Sequence, residues 1–141
     1  MKAKTGLFLS SLLLILACQT EPTQEQSFPA IEVSEKLSLN EGEKWKANSK
    51  TIEGIEAMLN TLNNDEIQSA SELKKELMKS MGYIFKQCNM KGEAHEQLHH
   101  YILPLRNYVD ELDEKELTKT ELESKKQRIK EHLVLFSTYF K

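Results

Sequence analysis

Apolar residues recur every three or four positions from Trp45 to Phe140, and this spacing places them along one face of successive helices. Asn63-Asn64-Asp65 and Lys91-Gly92 interrupt the pattern, and no stretch shows the alternation that is typical of a β-strand. The predicted helical faces carry Trp45, Ile52, Ile55, Leu59 and Leu62; Ile67, Ala70, Leu73, Leu77, Met81, Ile84 and Cys88; Leu98, Ile102, Leu105, Val109 and Leu112; and Leu122, Ile129, Leu133, Phe136 and Phe140. The sequence therefore predicts an all-α chain.

The predicted helices are long and their connections are short. Helices of about 20 residues would each be about 30 Å long. Because short connections favour antiparallel neighbours, we expect residues 39–141 to form an up-down-up-down four-helix bundle. Pro104 lies within the third predicted helix, where it removes the hydrogen bond to the carbonyl of His100 and should bend the helix.

The N-terminal segment has the features of a secretory signal. Lys2 and Lys4 precede an apolar stretch from Leu7 to Ala17, which is shorter than the roughly 20 residues of a permanent membrane span. The stretch ends in Ile15-Leu16-Ala17-Cys18 and resembles the lipobox of bacterial lipoproteins. By that resemblance, the chain is cut before Cys18, whose thiol receives diacylglycerol and whose amino group is acylated, typically with palmitate.

The resemblance implies a signal peptide over residues 1–17, a lipidated Cys18 with a flexible linker over residues 18–38, and a helical domain over residues 39–141. The first partner is then the lipid bilayer, bound through the acyl chains on Cys18. Gln19, rather than Asp, follows the lipidated position, and in lipoproteins this favours the outer membrane. We therefore expect a protein of the bacterial envelope that faces the periplasm.

The charge balance makes a nucleic-acid partner unexpected. The full chain carries 19 basic and 22 acidic residues, and the part from Cys18 onward carries 17 and 22, a formal charge of −5. A nucleic-acid-binding surface would show a basic stripe with interleaved aromatic residues, which this sequence lacks. It also lacks a glycine-rich phosphate loop, a nucleophile elbow and a paired-carboxylate motif, so we do not expect an enzyme.

The segment from Cys88 to His100 holds the only Cys that follows Cys18 and three of the four His. Because Cys18 is consumed by lipid, Cys88 has no partner for an intramolecular disulfide, and it is buried, metal-bound or available as a free thiol. Thiolate, thioether and imidazole are the ligands that Cu(I) and Zn(II) prefer. The candidate metal ligands are Cys88, Met90, His95 and His99.

A turn is needed to bring these ligands together. On a continuous helix, Cys88 and His95 would lie about 10 Å apart along the axis, which is far beyond metal–ligand bonds of about 2.0–2.3 Å. A reversal at Lys91-Gly92 would let Cys88, His95 and His99 surround one ion, with Met90 as an optional ligand. We therefore expect the domain to bind copper or zinc for sensing, buffering or delivery.

A metal-free interpretation stays open beside this one. Free Cys is among the most buried residue types, so Cys88 is equally explained as a small core residue and His95 as a hydrogen-bonded interior imidazole. The domain would then be a helical interaction module that binds another envelope protein.

A third interpretation rests on His95-Glu96-x-x-His99, which resembles the zinc-peptidase signature. That resemblance implies two His ligands and Glu96 as the general base. Gln97, however, stands where that family normally places an apolar residue. A third ligand would have to come from Cys88, Glu114 or Glu116.

Haem ligation by His95 together with Met58 or Met81 is a further alternative, although the Cys-x-x-Cys-His attachment motif is absent. His100 is predicted to face solvent, and neither His100 nor His132 is expected to bind a metal. The Trp45-Lys46-x-Asn48 block and the spacing of residues 88–99 resemble those of small bacterial envelope lipoproteins, a resemblance that implies no activity.

Overall fold

The computed structural model describes residues 34–113 and 117–141. Within this part the elements are α1 (Ser49–Leu62), α2 (Ala70–Gln87), α3 (Gly92–Asp110), a 3-10 turn (Glu111–Asp113), α4 (Lys119–Val134) and a single-turn α5 (Phe136–Tyr139). These described residues contain two isolated β-bridges and no strand, which confirms the all-α prediction. No helix among them combines the length and apolar character needed to cross a membrane.

Each long helix packs against two others, because α1 and α3 both contact α2 and α4. Their apolar faces meet in a single core. Its fully buried members include Met58, Leu77, Met81, Ile84, Leu105 and Ile129. The helical spacing in the sequence therefore identified most of the core correctly.

The helix boundaries follow local capping chemistry. Ser69 precedes α2, and its hydroxyl accepts the backbone N–H of Glu72 at 3.2 Å. Thr118 and Glu121 form a reciprocal capping box at the start of α4. Pro104 lies inside α3, which continues without a break from Gly92 to Asp110.

Trp45 is a core residue, but the prediction that it lies on the first helix is wrong. α1 begins only at Ser49, and residues 45–47 instead pair with residues 139–141. The backbone N–H of Trp45 donates to the Tyr139 carbonyl at 2.7 Å, and the Trp45 carbonyl accepts the backbone N–H of Lys141 at 2.9 Å. The backbone N–H of Ala47 donates to the Lys141 carbonyl, also at 2.9 Å. We refer to this contact between the two ends of the domain as the terminal pairing.

The fourth predicted helix is also shorter than the sequence suggested. α4 ends at Val134, a turn at Leu135 follows, and Phe140 lies beyond α5 in extended backbone. Its φ of −127° and ψ of 153° allow it to join the terminal pairing. Phe140 is therefore a core residue that is held by the pairing rather than by a helix.

Part of the predicted linker is packed on the domain. Leu37 is buried, and the indole N–H of Trp45 donates to the Ser38 carbonyl at 2.6 Å. The chain then reverses at Glu41 and Gly42, whose φ values of 50° and 91° lie in the left-handed region that favours Gly. The described core thus includes residues before position 39, while residues 18–33 of the predicted linker lie outside the described part.

His132 is fully buried in α4, against aromatic residues of α3. Its Nε2–H donates to the Tyr101 carbonyl at 2.8 Å, and the Tyr101 hydroxyl lies 3.2 Å from the carbonyls of His132 and Leu133. Burial lowers the pKa of His132 below its ordinary value of 6.5, because desolvation penalises the charged ring. Burial therefore favours the neutral imidazole at this position.

We expect the free energy of unfolding to fall as the pH drops below 6.5. In the unfolded chain, His132 binds a proton near its ordinary pKa of 6.5, whereas the lowered pKa delays protonation in the folded chain. Between the folded and unfolded pKa values of His132, the free energy of unfolding falls by up to about 1.4 kcal/mol for each unit by which the pH is lowered. Urea unfolding measured from about pH 8 to about pH 5 tests this dependence. This range is chosen because His changes its charge within it.

The matched control is His132→Gln, whose side-chain amide can still donate to the Tyr101 carbonyl but does not titrate. This variant should lose most of the slope between about pH 6.5 and pH 5. Carboxylates such as Asp110, whose pKa is lowered by neighbouring Lys74, act at lower pH and should affect both proteins equally. An equal slope in the wild type and the variant would contradict this account of His132.

Candidate metal centre

The turn between α2 and α3 brings Cys88 to His95. α2 ends at Gln87, and Cys88 follows in extended backbone with a ψ of 122°. Gly92 begins α3 with a φ of +61°, a value that strains a side-chain-bearing residue. The reversal predicted at Lys91-Gly92 is therefore present. It brings Cys88 and His95 together, whereas a continuous helix would hold them about 10 Å apart along its axis.

Three of the four predicted donors, Cys88, His95 and His99, form one chain of contacts. Cys88 Sγ lies 3.6 Å from His95 Nδ1, and His95 Nε2 lies 3.0 Å from His99 Nε2. The two imidazole rings are nearly perpendicular, at 87°, with centroids 4.6 Å apart. His95 is thus the central member, and it contacts its two neighbours through different nitrogens.

Both contacts lie within hydrogen-bond range for their atom types, but only the first also has the spacing of two ligands of one ion. A tetrahedral ion with bonds of about 2.3 Å to sulfur and about 2.0–2.1 Å to nitrogen spans about 3.6 Å between these donors, which matches the Cys88–His95 distance. The distance of 3.0 Å between the two His is that of an N–H···N hydrogen bond. When His95 carries its proton on Nε2, it donates to His99 and directs the lone pair of Nδ1 at Cys88 Sγ.

These side chains border a cleft between α2 and α3, which we call the α2–α3 cleft. Its volume is about 330 Å³. Cys88 and His95 are half-buried, whereas His99 is exposed. The described lining consists of Ile84, Phe85, Cys88, His95, Leu98, His99 and Ile102, so sulfur and nitrogen donors face an apolar wall.

The other sequence candidates lie elsewhere. Met90 packs against the core, and it does not line the α2–α3 cleft. Met58 and Met81, the proposed haem partners, are fully buried in the core. His100 is half-buried and His132 is hydrogen-bonded in the interior, both away from this lining.

Gln97, which departs from the peptidase pattern, has a structural role. It is buried, and its Oε1 accepts the backbone N–H of Ser38 at 2.8 Å, which ties the N-terminal segment to α3. Glu96, the general base of the peptidase interpretation, is exposed and does not line the cleft. The role of Gln97 was not evident from the sequence, because its partner Ser38 is 59 positions away.

A side-chain hydrogen bond from Asn48 stabilises the C-terminal end of α2. The Asn48 side-chain amide donates to the Gln87 carbonyl at 3.0 Å, next to Cys88. The last carbonyls of a helix lack intrahelical partners, so this bond satisfies one of them. Asn48 thereby positions the residue that precedes the thiol.

Within residues 34–113 and 117–141, no three His, Cys, Asp or Glu side chains are arranged to hold one ion together. Cys18, the proposed lipidation site, lies outside the described residues, as do Glu114 and Glu116, which were considered as peptidase ligands. No protein-family model, curated protein or solved structure matches this chain.

Proposed function

We propose that this protein is a lipid-anchored envelope protein that binds a transition-metal ion, copper or zinc, through Cys88 and His95. The observation that carries the proposal is the distance of 3.6 Å between Cys88 Sγ and His95 Nδ1 at the border of the α2–α3 cleft. A thiolate and an imidazole at this spacing suit soft and borderline ions. Sensing, buffering or delivery of the ion would be its use.

His99 contacts the ring nitrogen of His95 that faces away from Cys88. Metal-binding His residues usually donate their second ring N–H to an acceptor, which fixes the tautomer and the orientation of the ring. His99 Nε2, at 3.0 Å from His95 Nε2, can accept that hydrogen bond. His99, which the sequence suggested as a ligand, is therefore proposed to orient His95.

The anchor in this proposal is supported by the sequence alone. Ile15-Leu16-Ala17-Cys18 resembles the lipobox, and acyl chains on Cys18 would hold the domain at the membrane. We propose that the four long helices run up-down-up-down and that residues 1–17 are removed. The outer membrane and the periplasmic face remain parts of this proposal.

One observation favours the alternative of a metal-free interaction module. A second groove of about 350 Å³ lies between α1 and the end of α4, and its lining is largely apolar. Val134, which lines it, is 56% exposed. A groove of this kind would suit an apolar segment of another envelope protein.

Metal retention tests the proposed function. We expect the full chain, carrying Cys18→Ser so that Cys88 is the sole thiol, to retain one equivalent of Cu(I) or Zn(II) after desalting. Cys88→Ser and His95→Gln should each abolish retention, because each removes one of two protein ligands. Elemental analysis measures the bound metal, and thermal melting shows whether each variant folds.

The matched control is His100→Gln, which removes an imidazole from the same helix but outside the cleft lining. This variant should retain as much metal as the parent chain. If the folded parent retains no metal, or if Cys88→Ser retains the same amount, the proposed function is wrong and the interaction module becomes the better interpretation.

A further inference from the structure

We infer that the ion is Cu(I) rather than Zn(II), held by Cys88 and His95 as the two protein ligands, with His99 as a positioning residue. This inference rests on the proposed function, since it names the ion for the same site. It follows from three features of the α2–α3 cleft: the number of donors, their charge and the polarity of the walls.

The number of donors favours Cu(I). Zn(II) in structural sites is almost always bound by four protein ligands, and in catalytic sites by three. At this site, Cys88 Sγ and His95 Nδ1 face one another, while His99 contacts the opposite nitrogen of the His95 ring. Soft thiolate ligation suits both Cu(I) and Zn(II), but Cu(I) is stable with as few as two or three ligands. The distance of 3.6 Å between Cys88 Sγ and His95 Nδ1 fits a bent pair of ligands, so these two residues and one donor from outside suffice for Cu(I).

The net charge of the bound ion and its ligands also favours Cu(I). One thiolate neutralises Cu(I), but it leaves a net charge of +1 on Zn(II). The described lining is apolar apart from Cys88, His95 and His99, with Ile84, Leu98 and Ile102 along the cleft. On the apolar side of the cleft an uncompensated charge is costly, so the neutral complex is favoured there.

The cleft also leaves one side of the ion accessible. Phe85 lines the cleft and is 47% exposed, and Cys88 is half-buried. A two-ligand ion in such a position can accept a further soft donor from outside. This property suits an ion that is passed on rather than one that stabilises the fold.

The test is a competition for each ion with the full chain in its Cys18→Ser form. Cu(I) is presented anaerobically with ascorbate and bicinchoninate as the competing chelator, and Zn(II) is presented with a chromogenic zinc chelator. We expect one equivalent of Cu(I) to be retained and Zn(II) to be lost to its chelator. The urea-unfolded chain is the control for binding by an exposed thiol, and its Cu(I) affinity should be lower.

The role of His99 is tested by two substitutions. The amide oxygen of His99→Gln can still accept the His95 N–H, whereas His99→Leu cannot. The Leu variant should bind Cu(I) about 10–100-fold more weakly, and the Gln variant should recover most of that loss. X-ray absorption should show one sulfur and one imidazole neighbour in the parent and in the Gln variant alike.

The outcomes separate the two proposals. Zn(II) retained against its chelator as firmly as Cu(I), or equal Cu(I) affinity in the folded and unfolded chains, would overturn the inference of a Cu(I) site. A second imidazole that disappears in His99→Gln would show that His99 is a ligand, and would overturn its positioning role. Retention of neither ion would overturn the proposed function itself.

Discussion

Phe140→Ala is expected to lower the free energy of unfolding by about 3–5 kcal/mol, the usual cost of removing a buried aromatic side chain. The Phe140 side chain is only 2% exposed. It stacks on Phe136 with centroids 4.8 Å apart and meets the ring of Tyr101 at 6.0 Å. A large loss is expected because the terminal pairing holds this ring in the core.

The matched control for this prediction is Phe85→Ala, an aromatic residue of α2 that is 47% exposed. Because much of its surface stays in water, this variant should lose less than about 1 kcal/mol. Urea unfolding of both variants at neutral pH gives the comparison. Similar losses in the two variants would mean that Phe140 is not held in the core.

Gly54→Ala should destabilise the domain by about 1–3 kcal/mol, although Ala is normally the better helix former. A Cβ at Gly54 would lie 2.2 Å from Cγ1 of Ile84 and 2.9 Å from its Cδ1. Ile84 is fully buried between α1 and α2, so the added methyl group must displace it or separate the two helices. Ile84 also lines the α2–α3 cleft, so its displacement should weaken metal binding as well.

Gly82→Ala is the control for Gly54→Ala, because both residues are helical glycines. A Cβ at Gly82 meets no atom within 4 Å, so this substitution should stabilise α2 by about 0.5–1 kcal/mol through helix propensity alone. Thermal melting of the pair should therefore give shifts of opposite sign. A stabilised Gly54→Ala protein would contradict the close approach of α1 and α2.

Features set by local sequence were predictable. The helical spacing of apolar residues identified core positions such as Leu77 and Ile129, because an amphipathic helix buries one face. Lys91-Gly92 indicated the turn before α3, because a Gly at this point permits the positive φ observed. From that turn followed the contact between Cys88 and His95.

Features set by distant partners were not predictable in the same way. Trp45 and Phe140 have helical spacing to their neighbours, but both lie in the terminal pairing, whose hydrogen bonds join residues more than 90 positions apart. Ile84 was correctly placed in the core, whereas its second role in the cleft wall depends on how α2 and α3 meet. Spacing alone likewise could not show which ring nitrogen of His95 faces His99.

The nitrogen of His95 that binds the ion is the most direct test of this account. In the 15N-labelled full chain carrying Cys18→Ser, long-range proton–nitrogen NMR resolves Nδ1 and Nε2 of each imidazole during addition of one equivalent of Cu(I) or Zn(II). We predict a large shift of His95 Nδ1, with Nε2 keeping its proton, and no such shift in Cys88→Ser. A shift at Nε2 of both His95 and His99, or no shift at His95 at all, would contradict a metal centre formed by Cys88 and His95.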